Sequence, residues 1–204
     1  MNTEITVHPK LHHVGLTTAN VGAMTDWYRK VLGMTINFRF SAPAGARNGP
    51  SFSATFVSND EVHHRIVFFE MPGLTVDPDK ARHARVQHVA FEYETLDDLL
   101  GTYARLKGLG ILPLMAVDEG LQTGFYYTDP DGNSVELNVN NYGNEWTATE
   151  HMKSWPSDRP RRVFVDPEKI LAARQDGASP WELQERAFAG EFPPAKPYDA
   201  RALL

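Results

Sequence analysis

A single offset of 75 residues superposes two segments of this 204-residue chain, and this internal repeat limits the possible folds more than any other feature. His13-Val14-Gly15-Leu16 falls on His88-Val89-Ala90-Phe91, each an apolar run about one strand long with a histidine inside it. At the same offset both runs lead into a helix N-cap candidate, Asn20 in one copy and Thr95 in the other. The first expected helix carries Val21, Met24, Trp27, Tyr28, Val31 and Leu32 at spacings of three and four, and the second carries Leu96, Leu99, Leu100, Tyr103 and Leu106. Tyr28 falls on Tyr103. Gly33 and Gly108, again equivalent, suit the left-handed position that ends a helix.

Three β-like segments follow each helix, 34–40, 51–58 and 63–71 in the first half and 111–117, 121–128 and 134–140 in the second. Asp129-Pro130-Asp131-Gly132 supplies the last turn. Each half reads as a βαβββ unit, too small to bury its sheet alone and expected to pair with its copy. The expected fold class is therefore α+β: two paired βαβββ modules forming a metal-binding cleft, plus a Pro-rich C-terminal tail with short helices. Module 1 covers about 10–71 and module 2 about 86–142 of a domain spanning 1–149, with 72–85 as linker. The tail, 150–204, holds seven of the fourteen prolines. Asp166-Pro167 and Ser179-Pro180 each open a short helix there, ending near Gln175 and Ala189. The tail is expected to pack along the domain or a partner subunit, or to cover the mouth of the site.

Composition narrows the chemistry. Twenty Lys and Arg against twenty-six Asp and Glu give a net charge of -6, which argues against a nucleic-acid partner. The absence of cysteine removes disulfides, thiolate nucleophiles, iron–sulfur clusters and cysteine-bound zinc, so nitrogen and oxygen must hold any metal. No apolar stretch is long enough to span a bilayer, so no membrane partner is expected. Residues 1–10 are polar and charged where an export signal would be apolar, and the expected location is cytoplasmic.

His13 and His88 occupy equivalent positions, so pseudo-twofold packing of the modules would bring them to one cleft. Glu136 lies between Val135 and Leu137 on the last strand, where an unpaired buried acid is costly and a metal would neutralise it. Two imidazoles and one carboxylate on one side of an ion leave adjacent positions open, the arrangement associated with non-haem Fe(II) and oxygen activation.

Several segments carry a resemblance: Leu11-His12-His13-Val14-Gly15-Leu16, the helix end Trp27 to Gly33, Val62-His63-His64-Arg65-Ile66, Val86-Gln87-His88-Val89-Ala90-Phe91, and Phe125 to Glu136. On these the chain resembles the vicinal oxygen chelate superfamily of glyoxalases, bleomycin resistance proteins and extradiol dioxygenases, over about residues 10–142. Within it the similarity is to single-domain type I extradiol ring-cleaving dioxygenases. The resemblance implies an oxidoreductase with Fe(II), or Mn(II), held by His13, His88 and Glu136, acting on a small catechol-type aromatic diol with O2. It implies His64 as acid–base catalyst and Tyr126, ten residues before the metal carboxylate, as a hydrogen-bond partner of the substrate oxygen. Tyr126 and Glu136 lie symmetrically about Asp131 and would face each other across a hairpin. Strand alternation lets only one of His63 and His64 enter the cleft.

Two positions depart from the pattern. Glu119 stands where many ring-cleaving relatives carry a further active-site histidine. Glu70, six residues beyond His64, is expected on the same strand face. As a fourth ligand it would close the site to oxygen and favour a glyoxalase-type lyase or isomerase using Zn, Ni, Co or Mn. A metal-free binding or resistance protein of the same fold is a third reading. His8, His12, His83 and His151 are expected outside the site, and Trp146, Trp155 and Trp181 are expected to anchor the tail. Exposed sheet edges favour a homo-oligomer.

Overall fold

The computed structural model describes residues 8–45 and 51–199; the expectations for residues 1–7 and 200–204 lie outside the described residues. The chain divides into two compact units, one ending at Val76 and the other beginning at Asp77. The first contains β1 (Val14–Thr18), α1 (Val21–Leu32), β2 (Thr35–Ala42), β3 (Phe52–Ser58) and β4 (Ile66–Glu70). Its sheet runs β1-β4-β3-β2, with β1 parallel to β4 and the other neighbours antiparallel. The Asn20 side chain accepts the Ala23 amide and starts α1, and Gly33 ends it at φ 67°. Met24, Tyr28 and Val31 are buried beneath the helix, where Tyr28 meets Phe68 of β4 at a ring separation of 5.1 Å. Gly15, Val67 and Phe69 lie on the opposite face, since a Cβ on Gly15 would be 3.4 Å from the Phe69 ring.

The second unit repeats this order with β5 (His88–Tyr93), α2 (Leu96–Gly108), β6 (Met115–Asp118), β7 (Gln122–Thr128) and β8 (Ser134–Asn140). Strand β5 is parallel to β8, and the order is β5-β8-β7-β6. The α+β reading with duplicated βαβββ units therefore holds. Thr95 caps α2 as expected, but the left-handed residue is Gly110 at φ 75°, not Gly108. Leu109 and Gly110 each donate three residues back, to Leu106 and Lys107, so a tightened last turn delays the reversal. Two strands also start later than the apolar runs that announce them. Strand β4 begins at Ile66, and β6 begins at Met115, beyond Pro113, which has no N–H to give a ladder.

The C-terminal segment is built into the second unit. It contains α3 (Glu145–Ser154), β9 (Val163–Phe164), α4 (Pro167–Gln175) and α5 (Pro180–Phe188). Asp166 caps α4, and Ser179 with Glu182 forms a capping box on α5. Helix α3 and strand β9 were not anticipated. Strand β9 pairs antiparallel with β6, Val117 opposite Phe164 and Asp118 opposite Val163, and makes this sheet five-stranded. Trp155 anchors the segment by lying against Gly120, whose φ is 81° and on which a Cβ would stand 2.2 Å from the indole. The Gln184 amide donates to the Gly120 carbonyl from α5. Trp181, 55% exposed, meets the Tyr142 ring at 6.4 Å, whereas Trp146 is 81% exposed and does not serve as an anchor. Among the described residues no helix is long and apolar enough to cross a membrane.

Candidate metal centre

The register of the second sheet places His88 and Ala90 of β5, Glu136 and Asn138 of β8, and Gly124 and Tyr126 of β7 on one face, with Phe125 and Leu137 on the other beneath α2. His88 Nε2 is 3.0 Å from Glu136 Oε2. On the far side of the ring, His88 Nδ1 contacts the Gln87 side-chain oxygen, which can only accept. A neutral imidazole donating there presents a bare lone pair at Nε2 to a carboxylate oxygen. A hydrogen on Nε2 or a metal ion between the two atoms would satisfy both. The spacing suits a metal, because two donors about 2.1 Å from one ion and at right angles to it are about 3.0 Å apart. Among the described residues no group of three or more His, Asp or Glu side chains that could hold a metal ion is gathered in one place.

Glu136 is 2% exposed, and burial pushes its carboxyl up, opposed first by the Asn138 hydrogen bond and then by the His88 charge. Its second oxygen, Oε1, accepts the Gln122 amide at 2.9 Å and the Asn138 amide at 3.2 Å. Tyr126 stands directly opposite Glu136 in the β7–β8 ladder and hydrogen-bonds its carboxylate. Burial, then the Glu136 and Glu119 charges, raise the phenol further, so it stays protonated and able to donate. Phe164 and Tyr198 of the C-terminal segment pack with Met115 and Val117 around the Tyr126 ring.

His13 and His64 meet in the first unit, with ring centres 4.3 Å apart. His64 is buried, its ring edge-on to Phe56 at 4.9 Å, and burial followed by the charges of His13, His63 and His12 lowers its pKa. The alternation expected for His63 and His64 does not apply, because both precede β4; their Nδ1 atoms are 2.5 Å apart. His12, expected outside the site, joins this group, with Nδ1 2.9 Å from that of His13. His83 pairs with Asp77, and His151 stacks on Tyr142.

Glu70 is not on the face expected for it. It pairs with Thr18 across the ladder and shares the helix-covered side with Phe68, opposite to Val67 and Phe69. Its Oε1 accepts the Val21 amide at 3.1 Å and so satisfies the N-terminus of α1. The six-residue spacing from His64 misleads because His64 lies ahead of the strand. Glu119 sits in the β6–β7 turn, where it accepts the Gln122 amide at 3.3 Å and pairs with Arg162 of the C-terminal segment at 3.9 Å.

The structure thus brings together His88, Glu136 and Tyr126 in the second unit, and His13 and His64 in the first. Gln122, Gly124 and Asn138 escaped the sequence reading. Their signal was the hairpin symmetry about Asp131, which sets Gly124 opposite Asn138 on the Tyr126–Glu136 face. A glycine in the middle of a strand marks a place where another group approaches closely.

Comparison with known proteins agrees with this fold. The family model described as the glyoxalase/bleomycin resistance protein/dioxygenase superfamily matches residues 10–137. Biphenyl-2,3-diol 1,2-dioxygenase 3 of Rhodococcus globerulus is 34% identical over 187 residues, covering 91% of this chain and 92% of that protein. Biphenyl-2,3-diol 1,2-dioxygenase 2 of the same organism is 33% identical, covering 98% and 99%. A crystal structure of a glyoxylase/bleomycin resistance protein/dioxygenase domain from Frankia sp. EAN1pec shares the fold, with a TM-score of 0.53 and 20% identity over 68% of this chain and 96% of that one. With two sheets in duplicated order and a histidine–glutamate pair on the second, the chain belongs to the glyoxalase/bleomycin resistance protein/dioxygenase superfamily.

Proposed function

We propose that the protein is an Fe(II)-dependent type I extradiol dioxygenase that opens a catechol-type ring with O2, the ion being held by His13, His88 and Glu136. The observation that carries this reading is the His88 Nε2–Glu136 Oε2 approach of 3.0 Å, a spacing that one metal ion can bridge. The two relatives matched over nearly their whole length are named as dioxygenases of an aromatic diol, which supports a substrate of that class. The engagement of Glu70 with α1 favours oxygen chemistry over a four-ligand lyase or isomerase.

When bound, Fe(II) supplies the redox chemistry that joins a chelated diol to dioxygen. The protein's own groups bind, orient and move protons. Tyr126, protonated and hydrogen-bonded to Glu136, would turn its hydroxyl from that carboxylate to donate to a substrate oxygen. With His64 Nδ1–H donating to His63 Nδ1, the His64 Nε2 lone pair takes the diol proton and later returns it to the product. Phe56 abuts His64, and Phe38 lies 5.8 Å from Phe56, an apolar wall suited to the substrate ring.

The test is to load anaerobically purified protein with Fe(II) and add biphenyl-2,3-diol and simpler catechols in air. The expected result is uptake of one O2 per diol with a yellow ring-opened product, and loss of both metal and activity in His88→Ala. Metal-loaded protein that consumes no oxygen with any of a broad catechol panel would refute the proposal.

A further inference from the structure

Glu136 has two oxygens with different fates. Oε2 faces His88, whereas Oε1 receives the amides of both Gln122 and Asn138. Gly124 lies directly beneath, so close that a Cβ there would be 2.7 Å from Oε1. The carboxylate is therefore seated in a cradle of one missing side chain and two amide donors.

Gln122 can fill its place in this cradle only in one orientation. Its Nε2 carries two hydrogens, one directed to Glu136 Oε1 at 2.9 Å and the other to Glu119 Oε2 at 3.3 Å. Its oxygen faces the Asn138 amide at 3.5 Å. An inverted amide would set its oxygen against two carboxylates. Glu119 thus selects the rotamer in which Gln122 donates to Glu136, and Arg162 of the C-terminal segment, 3.9 Å away, balances the charge of Glu119.

We infer that Gln122, aligned by Glu119, is a positioning residue that occupies one oxygen of Glu136 and so makes it a one-oxygen ligand directed at the position His88 faces. The inference rests on the metal-centre reading above and gives Glu119 a role other than that of the histidine it replaces. Outer-shell hydrogen bonds of this kind set metal affinity by about 10- to 100-fold.

Mn(II) titration of the full-length metal-free protein tests it, with Co(II) absorption as the spectroscopic readout. Gln122→Met keeps the length of the side chain and removes the donor. Its Mn(II) affinity should fall about 10- to 100-fold, and the visible Co(II) bands should change in intensity as the carboxylate, held at Oε1 by Asn138 without Gln122, rotates. Glu119→Ala should give a smaller loss, recovered in Glu119→Gln, which retains an acceptor for the Gln122 amide. Should Gln122→Met fail to fold, the Glu119 pair decides the matter by itself. Wild-type affinity and an unchanged Co(II) spectrum in Gln122→Met, or in Glu119→Ala if Gln122→Met does not fold, would overturn the inference while leaving the metal centre intact. Wild-type protein that binds neither ion would remove the metal centre and the inference with it.

Discussion

Asp118 ends β6 at 3% exposure, and its Oδ1 accepts the Gly120 amide at 2.8 Å and the Asn141 side chain at 3.2 Å. Burial pushes the carboxyl from 3.8 up to about 6, against the pull of the Gly120, Gln184 and Asn141 hydrogen bonds. Between those values the folded protein keeps a proton that the unfolded chain has released. This contribution to stability is complete below about pH 4 and is lost as the pH rises through about 6. A gap of about two pKa units corresponds to about 3 kcal/mol, of which about 2 kcal/mol is lost between pH 4.5 and 7.5. Asp118→Asn stays uncharged throughout. Urea unfolding of the metal-free protein should therefore show wild type losing about 2 kcal/mol relative to the variant across that interval. A difference between the two that stays flat to within about 0.5 kcal/mol would show that Asp118 is already ionised in the fold, and the reasoning would fail.

Other outcomes are open to measurement. Gly120→Ala combines a left-handed backbone with a Cβ 2.2 Å from Trp155, so it should lower stability by about 3 kcal/mol or more and alter tryptophan fluorescence; a melting temperature equal to wild type would contradict the anchoring of the C-terminal segment. His64→Phe should retain metal and bind diol anaerobically while turnover falls about 100-fold or more, and turnover within threefold of wild type would exclude His64 as the proton carrier. Thr95→Ala removes the Asp98 N-cap bond at 3.1 Å and should cost about 1 kcal/mol in thermal unfolding.

The duplication was readable because it rests on local chemistry. Asn20 and Thr95 cap their helices in both copies, and a turn centred on Asp131 needs only equal strand lengths to set Tyr126 against Glu136. What failed depended on partners distant in the chain. His63 and His64 precede the apolar run that begins at Ile66; the Arg65 amide closes onto the Val57 carbonyl and regular pairing begins only after it, so strand alternation did not govern the two rings. Glu70 resembled a ligand by spacing and became a helix cap because Val21 returns to it across 49 residues of chain. Gln122 carried no motif at all; its meaning comes from the two carboxylates that claim its two hydrogens.

Strand β9 is two residues long, yet it occupies the rim of the second sheet where β6 would otherwise expose its N–H and C=O groups. A rim that short offers a passing chain almost nothing to zip onto, so extension of this sheet by strands from other molecules is blocked at that end. The eight-residue β2, which closes the first sheet, has no such guard among the described residues and turns Ile36, Phe38 and Phe40 outward. Halves built on one plan thus differ at this edge, which the second sheet closes with its own C-terminal segment and the first leaves to an eight-residue strand.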